Sequence, residues 1–249
     1  MLRLFSTLCL LAALHSTGVN AQTTIKLGQV VGSVNQQIGA LLLKEVYRRA
    51  AVELDIIPMT AKRSLAQSSS GRLDGEVLRI AGLSHLHPEL VQLDIPLFRL
   101  QSQVFANPEH RLTIRTRSDL KNLKTVITSG VLHAEALAQA ANITALHRLP
   151  SEVKMLKFLS RGRVQIAIAS RLNGLAAIES QGIDNIVAVG PPLMTQPMYH
   201  YLHQRHAALV VKLSTILNEM RASGELDQLT AKFEREVLQQ SALHIPQLH

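Results

Sequence analysis

Three short stretches of this chain, and two single residues apart from them, carry side chains that could grip a small solute. In the first, SSSGRLDGEVLRIAG (68–82), Asp74, Glu76 and Arg79 surround a few apolar residues. A strand that only fills a core needs no such charges. A guanidinium at the carboxyl end of a strand can take a carboxylate in two parallel hydrogen bonds, which makes Arg79 a candidate ligand contact. The other reading pairs Arg79 with Glu76 as a structural salt bridge. Asp74 begins the strand and is expected to cap neighbouring amides. In the second stretch, Ser129-Gly130 follows a strand and opens a helix, where amide groups and the helix dipole favour an anion; an ordinary N-cap has the same sequence. In the third, Ser170-Arg171 ends the matching strand further along. Gln29, at the end of the first strand, and Tyr199, late in the chain, complete eight candidate ligand-binding residues: Arg79, Ser129, Gly130, Ser170, Arg171, Gln29, Glu76 and Tyr199.

The histidines make no metal signature. His85 and His87 are two apart and followed by Pro88, and His200, His203 and His206 fall in a segment that reads as extended and then turning. Solvated surface histidines are expected in both groups. No glycine-rich phosphate loop or serine-hydrolase elbow is present, so no catalytic residue, no metal and no cofactor is expected.

The chain that must position these residues has 249 residues, 47% hydrophobic and 18% charged, enough to bury a core in one large domain or two lobes. Residues 1–21 read as a cleaved secretory leader: Arg3 is the basic start, 8–14 an apolar run, and Val19-Asn20-Ala21 a small-x-small cleavage site. The apolar run is too short to span a membrane. Cys9, the only cysteine, lies inside the leader, so the exported chain has no disulfide and no thiol chemistry. Bulky Leu8 precedes it, which argues against a lipid anchor. These features place the protein in the periplasm. The formal charge of +8 is scattered rather than clustered. With export, this argues against nucleic acid and for anionic solutes or lipid headgroups. Aromatic residues make up 3% with no tryptophan, which disfavours sugar stacking and quaternary-amine cages.

Periodicity supplies the elements. Residues 24–31 form a first strand, Ser33 opens an amphipathic helix with Ile38, Leu41, Leu42, Val46 and Tyr47 at helical spacing, and 52–58 alternates as a second strand. A helix over 61–70 ends at Gly71, and 73–80 is a third strand, so the start is a βαβαβ unit with a mostly parallel sheet. Residues 90–107 are extended around Pro96. The pattern then restarts: a short helix at Arg117–Leu120, strands at 124–128, 143–149 and 164–170, and helices from Ser129 to Ala141 and over 152–161. A strand at 186–189, an extended piece at 197–202 and two helices (207–223 and 225–239) close the chain. Gly71-Arg72-Leu73-Asp74 and Gly162-Arg163-Val164-Gln165 echo one another, each followed by an apolar strand that ends near an arginine, Arg79 and Arg171.

In this order and spacing the chain resembles the type II solute-binding proteins of the bacterial periplasm, in the cluster with the polar amino-acid receptors. The segment L-x5-GRLDG at 65–75 resembles the family's helix-to-strand junction, and SDLKNLKTVITSG (118–130) the start of its second lobe. LSRGRVQIAIAS (159–170) resembles the second-lobe helix and strand, and LNEMRASGELDQLTAKF (217–233) the C-terminal helical pair. The segments DGEVLRIAG and YHYLHQRH set it in a branch apart from the amino-acid receptors proper. The resemblance implies an α/β fold of two lobes, each a mostly parallel sheet flanked by helices, joined by two hinge crossings. Lobe 1 would span 22–103 and 195–249, and lobe 2 would span 104–194. A ligand would be trapped between them by hinge closure. Two departures stand out. The family's Thr-x-x-Arg after the third strand is missing from AGLSHLHPEL, and its second-lobe aspartate would fall near Gln165, which carries no charge.

The function expected is capture of a small, carboxylate-bearing solute between the lobes, for an ABC-type transporter permease or a sensor in the membrane. The protein would act as a monomer with no nucleic-acid partner. Two alternatives remain: a ligand-free interaction or sensory module, and a dehydratase-like enzyme on the same fold, which would need an acid or base such as Glu76 in the cleft.

Overall fold

The computed structural model describes residues 24–243; the expected leader, with Cys9, lies outside them. The chain opens with β1 (Ile25–Val30), α1 (Val34–Arg49), β2 (Leu54–Met59), α2 (Ala61–Ser69) and β3 (Gly75–Ile80). β1 pairs in parallel with both β2 and β3, as a βαβαβ unit requires. Ser33 starts α1 as its cap: its Oγ accepts from the Gln36 N–H at 3.4 Å. One face of α1 is wholly buried through Ile38, Leu42, Val46 and Tyr47, which drives its docking on the sheet.

After a single turn, α3 (Leu83–Leu86), come β4 (Leu90–Gln92) and β5 (Phe98–Ala106), separated by Pro96. The second lobe follows: β6 (Thr125–Thr128), α4 (Leu132–Ala140), β7 (Leu146–Leu149), α5 (Glu152–Ser160), β8 (Ile166–Ser170) and α6 (Arg171–Ser180). The chain returns along β9 (Val187–His203) to α7 (Ala207–Ala222) and α8 (Glu225–Leu243). The strand order is β2-β1-β3-β9-β5-β8-β6-β7, with β4 on β9. Each lobe has a parallel trio, β2-β1-β3 and β8-β6-β7. The antiparallel strands β5 and β9 run between them, and their ladder breaks between Ser102 and Val104.

In the second lobe β6 and β8 are buried on both faces, while β7 at the edge is not. Ile127, Ile166 and Ile168 meet Ala134 and Leu137 of α4, while Val126, Ala167 and Ala169 meet Met155, Leu156 and Leu159 of α5. A doubly covered parallel strand reads as an unbroken apolar run, and β8 is one. The first-lobe core joins α1 to β5, α7 and α8 and also takes in Leu172 and Ala176 of α6. The two lobes therefore share apolar packing. Among the described residues no helix is long and apolar enough to cross a membrane.

Several expected elements differ. α4 starts at Leu132, not Ser129, because Gly130 takes a φ of +74° that no right-handed helix contains. β7 begins at Leu146 rather than 143. The two late strands, 186–189 and 197–202, are parts of the single strand β9; residues 190–193 bulge where its ladder with β5 breaks. α6 has no counterpart in the periodicity. Gly174 interrupts its apolar pattern, yet a Cβ there would lie 2.4 Å from Phe105 Cζ, so close helix-to-strand contact requires the glycine.

Candidate functional site

The site begins where β8 gives way to α6. Ser170 is buried and stands at the N-cap of α6, but its hydroxyl caps nothing. It accepts instead from the Asn35 side-chain amide at 2.8 Å. One residue earlier in α1, the Val34 N–H donates to Asn173 Oδ1 at 2.9 Å. These bonds clamp the first turn of α1, in one lobe, to the first turn of α6, in the other. α8 lies along both helices, and Leu172, Ala176 and Val237 fill the apolar space between them.

Beside the clamp is a cavity of about 270 Å³, just below the roughly 300–1,000 Å³ typical of ligand pockets. Arg99 and Gln101 come from β5, Ser170 and Arg171 from the β8–α6 junction, and Asn35 from α1. The far wall carries Arg221 of α7 with Asp227, Thr230 and Glu234 of α8. Arg221 is partly committed, donating to the Pro96 carbonyl at 2.6 Å. Burial pushes the Glu234 carboxyl up, and the Arg171 charge pulls it back. Among the described residues no hydrogen bond or ion pair holds the half-buried Arg171 guanidinium. A fork of donors with no acceptor among the described residues, lining a partly open cavity, can take a carboxylate or similar anion in bidentate fashion.

The other strand end differs. Arg79 Nε and Nη2 reach Glu76 Oε2 at 2.9 and 2.8 Å, and Nη2 also donates to the Ala61 carbonyl at 3.0 Å. Glu76 is fully buried and accepts from the Ser64 hydroxyl at 2.8 Å and from Ser68 at 2.9 Å. Burial pushes this carboxyl up although Arg79 and both serines favour its ionised form. Arg79 thus has the structural partner that its sequence also allowed, and its donors point into its own lobe.

Of the eight expected residues, the structure brings Ser170 and Arg171 to the cavity and leaves the other six away from it. Tyr199 faces Arg79 across the β3–β9 ladder. Gln29 lines a shallow groove with Gln37 and Lys44 between α1 and the end of α8. Ser129 and Gly130 are exposed, and the Ser129 N–H is already donated to the Leu149 carbonyl at 2.8 Å. Gln165 lies at the amino end of β8, the wrong end for the cavity, where its Oε1 accepts from the Lys124 N–H at 2.9 Å. Asp74 does cap an amide, Lys26 N–H at 2.8 Å. It also pairs with Arg205 and with His206, the latter at 2.6 Å.

The histidine expectation needs correction. His200 is fully buried. Its Nδ1–H donates to the Glu76 carbonyl at 2.7 Å, and its Nε2 accepts from the Tyr47 hydroxyl at 2.8 Å. Burial holds its pKa down at about 4, so the ring is neutral. His206 is largely enclosed by its pairing with Asp74. The sequence reading also missed Asn35, Arg99, Arg221 and Glu234. Arg221 and Glu234 sit on helices whose pattern shows which face is buried but not what the boundary residues meet.

Neither a protein-family model nor a curated protein sequence matches the chain. Its similarity is to solved structures. A histidine kinase sensor domain with similarity to periplasmic binding proteins superposes with a TM-score of 0.66 at 18% identity, covering 84% of this chain and 95% of that one. The GluR0 ligand-binding core in complex with L-glutamate gives 0.71 at 12% identity, covering 86% and 99%. An amino acid ABC transporter substrate-binding protein, AbpA, from Streptococcus pneumoniae, bound to L-arginine, gives 0.65 at 16% identity, covering 86% and 96%. The chain has the two-lobed α/β fold of the type II periplasmic binding proteins.

Proposed function

We propose that this chain is a periplasmic solute-binding protein that holds a small carboxylate-bearing solute in the arginine-lined cavity between its lobes. Lobe 1 is taken as 22–103 with 195–249 and lobe 2 as 104–194, the chain being exported by a cleaved leader over 1–21. The observation that carries this reading is Arg171, which lines a cavity of about 270 Å³ and has no hydrogen-bond acceptor among the described residues. Arg99 and Arg221 add positive charge around it, and the Ser170 hydroxyl, which accepts from Asn35, keeps its own proton for a short-range hydrogen bond. Asp227 and Glu234 opposite suit a solute that also carries a donor. The protein acts as a monomer that presents its solute to an ABC-type permease or a membrane sensor, with no nucleic-acid partner and no cofactor.

Action by binding rather than catalysis is supported by Glu76. The dehydratase-like reading rested on this acid, and its oxygens are engaged by Arg79, Ser64 and Ser68. One observation favours the sensory-module alternative. Leu172 and Ala176 pack into the core of the opposite lobe, so opening the lobes would expose apolar surface at roughly 25 cal/mol per Å². A receptor whose lobes stay together suits a fixed interaction surface better than a cycle of opening and closing.

The test is thermal melting of the purified protein against dicarboxylates, aromatic acids, amino acids and polyamines. A solute bound only by the folded state at 100 times its Kd adds about 2.7 kcal/mol. A rise with an acid that disappears in Arg171→Ala supports the solute-binding reading. No rise with any acid moves the reading to the sensory module.

A further inference from the structure

A second space lies on the other side of the interlobe clamp. Val34 and Asn173, whose hydrogen bond closes the clamp, also line a groove of about 420 Å³. Its walls come from four helices: Gln37 of α1, Glu152 of α5, Asn173 and Ser180 of α6, and Gln240 of α8 are the polar side chains that face it. Glu152 is the one charged residue among its described lining residues. Ser151 already caps α5, its Oγ accepting from the Lys154 N–H at 3.3 Å, so Glu152 is not needed as a cap. No salt bridge among the described residues reaches its carboxyl. Burial pushes that carboxyl up to about 7, against a hydrogen bond from Asn173. The amides and hydroxyl around it can solvate an ion but cannot neutralise it.

Among the described residues this partly exposed carboxylate has only neutral groups around it and no counter-ion, and it faces a space large enough for several heavy atoms. We propose that this groove binds a small organic cation, an alkylammonium or guanidinium group, with Glu152 as its counter-ion and the Gln37 and Ser180 side-chain oxygens as further acceptors. The site is separate from the arginine-lined cavity. The two share no lining residue: the first mixes Arg99, Arg171 and Arg221 with Asp227 and Glu234, whereas the second has Glu152 as the one charge among its described lining residues. Bound there, a cation touches both lobes and holds α5 and α6 against α1 and α8.

Calorimetric titration of putrescine and of methylguanidine into the purified protein at pH 8 tests this. Binding of at least one probe is expected, weakened at least tenfold in Glu152→Gln. The neutral isostere keeps the shape of the side chain, and a melting curve confirms that it folds. Glu135→Gln removes an acid already paired with Arg148 and should change the affinity less than twofold. A second readout needs no variant. Near pH 7 the cation must displace a proton from Glu152, so the apparent binding enthalpy there should depend on the ionisation enthalpy of the buffer. Failure of both probes to bind overturns the proposal. So does equal affinity in Glu152→Gln, or binding near pH 7 with no proton released.

Discussion

Arg79 and Arg171 close matching strands of the two lobes, yet they meet opposite surroundings. Arg79 has a buried carboxylate three residues before it and a carbonyl at the start of α2, and both take its donors. Arg171 has Ile168 and Ala167 at the corresponding places, both buried and apolar, and its donors face a cavity lined partly by α8. Spacing puts an arginine at the carboxyl end of a strand, where ligands gather in α/β sheets. Whether it can hold a ligand depends on whether a nearby acid has already claimed it. In GEVLRI the claimant is Glu76, and in IAIASR there is none.

The sharpest way to break this contrast is Arg79→Ala. It leaves Glu76 buried without its cation, and breaking such a pair destabilises by about 3–5 kcal/mol. Urea unfolding should show that loss. Arg79→Met with Glu76→Leu should recover part of it, because neither half of the pair is then stranded, although the buried Ser64 hydroxyl loses its acceptor. An Arg79→Ala protein as stable as the parent would mean that the pair is not structural.

Acid should produce the next largest effect. His200 in the first lobe and His133 in the second are both buried and both held down at about 4 from the usual 6.5. The unfolded chain therefore binds protons first as pH falls. Stability present above 6.5 is lost toward pH 4, by roughly 3 kcal/mol for each histidine at about 1.4 kcal/mol per pKa unit. His133 has one side-chain partner, Ser102 Oγ at 2.9 Å, whereas His200 is fixed from both sides. His133→Asn should flatten the pH profile at a smaller penalty at pH 7 than His200→Asn, as measured by urea unfolding across the pH range.

A smaller effect is expected at the clamp. Asn35→Ala leaves the buried Ser170 hydroxyl without its donor and should destabilise by about 1–2 kcal/mol. Hydrogen exchange should quicken at the first turns of α1 and α6 together and leave β6 unchanged. Quickening confined to α1 would show that the bond does not couple the lobes.

Much of the fold was legible because its signals are local. The βαβαβ start follows from Ser33 as a cap and the helical spacing of Ile38, Leu42 and Val46. The parts that escaped depend on distant partners. α6 was invisible because the glycine that looks like a break is demanded by Phe105, some seventy residues earlier. The unity of β9 was hidden by Pro191 and Pro192, which a bulge between the lobes accommodates. At the site, Ser170 and Arg171 could be read from the end of their strand. Thr230 and Glu234 could not, because only tertiary contact brings α8 to that strand end. His200 looked like part of a polar surface run, but alternation along β9 turns it inward to Tyr47.

The most direct test compares Arg171→Ala with the parent for both unfolding free energy and the acid-induced rise in melting temperature. Among the described residues Arg171 makes no hydrogen bond or ion pair and acts on Glu234 only through its charge, so the account predicts a loss of stability well below that of Arg79→Ala, together with loss of the solute-induced rise. An Arg171→Ala protein destabilised as strongly as Arg79→Ala would contradict it, as would one that still responds fully to the acid.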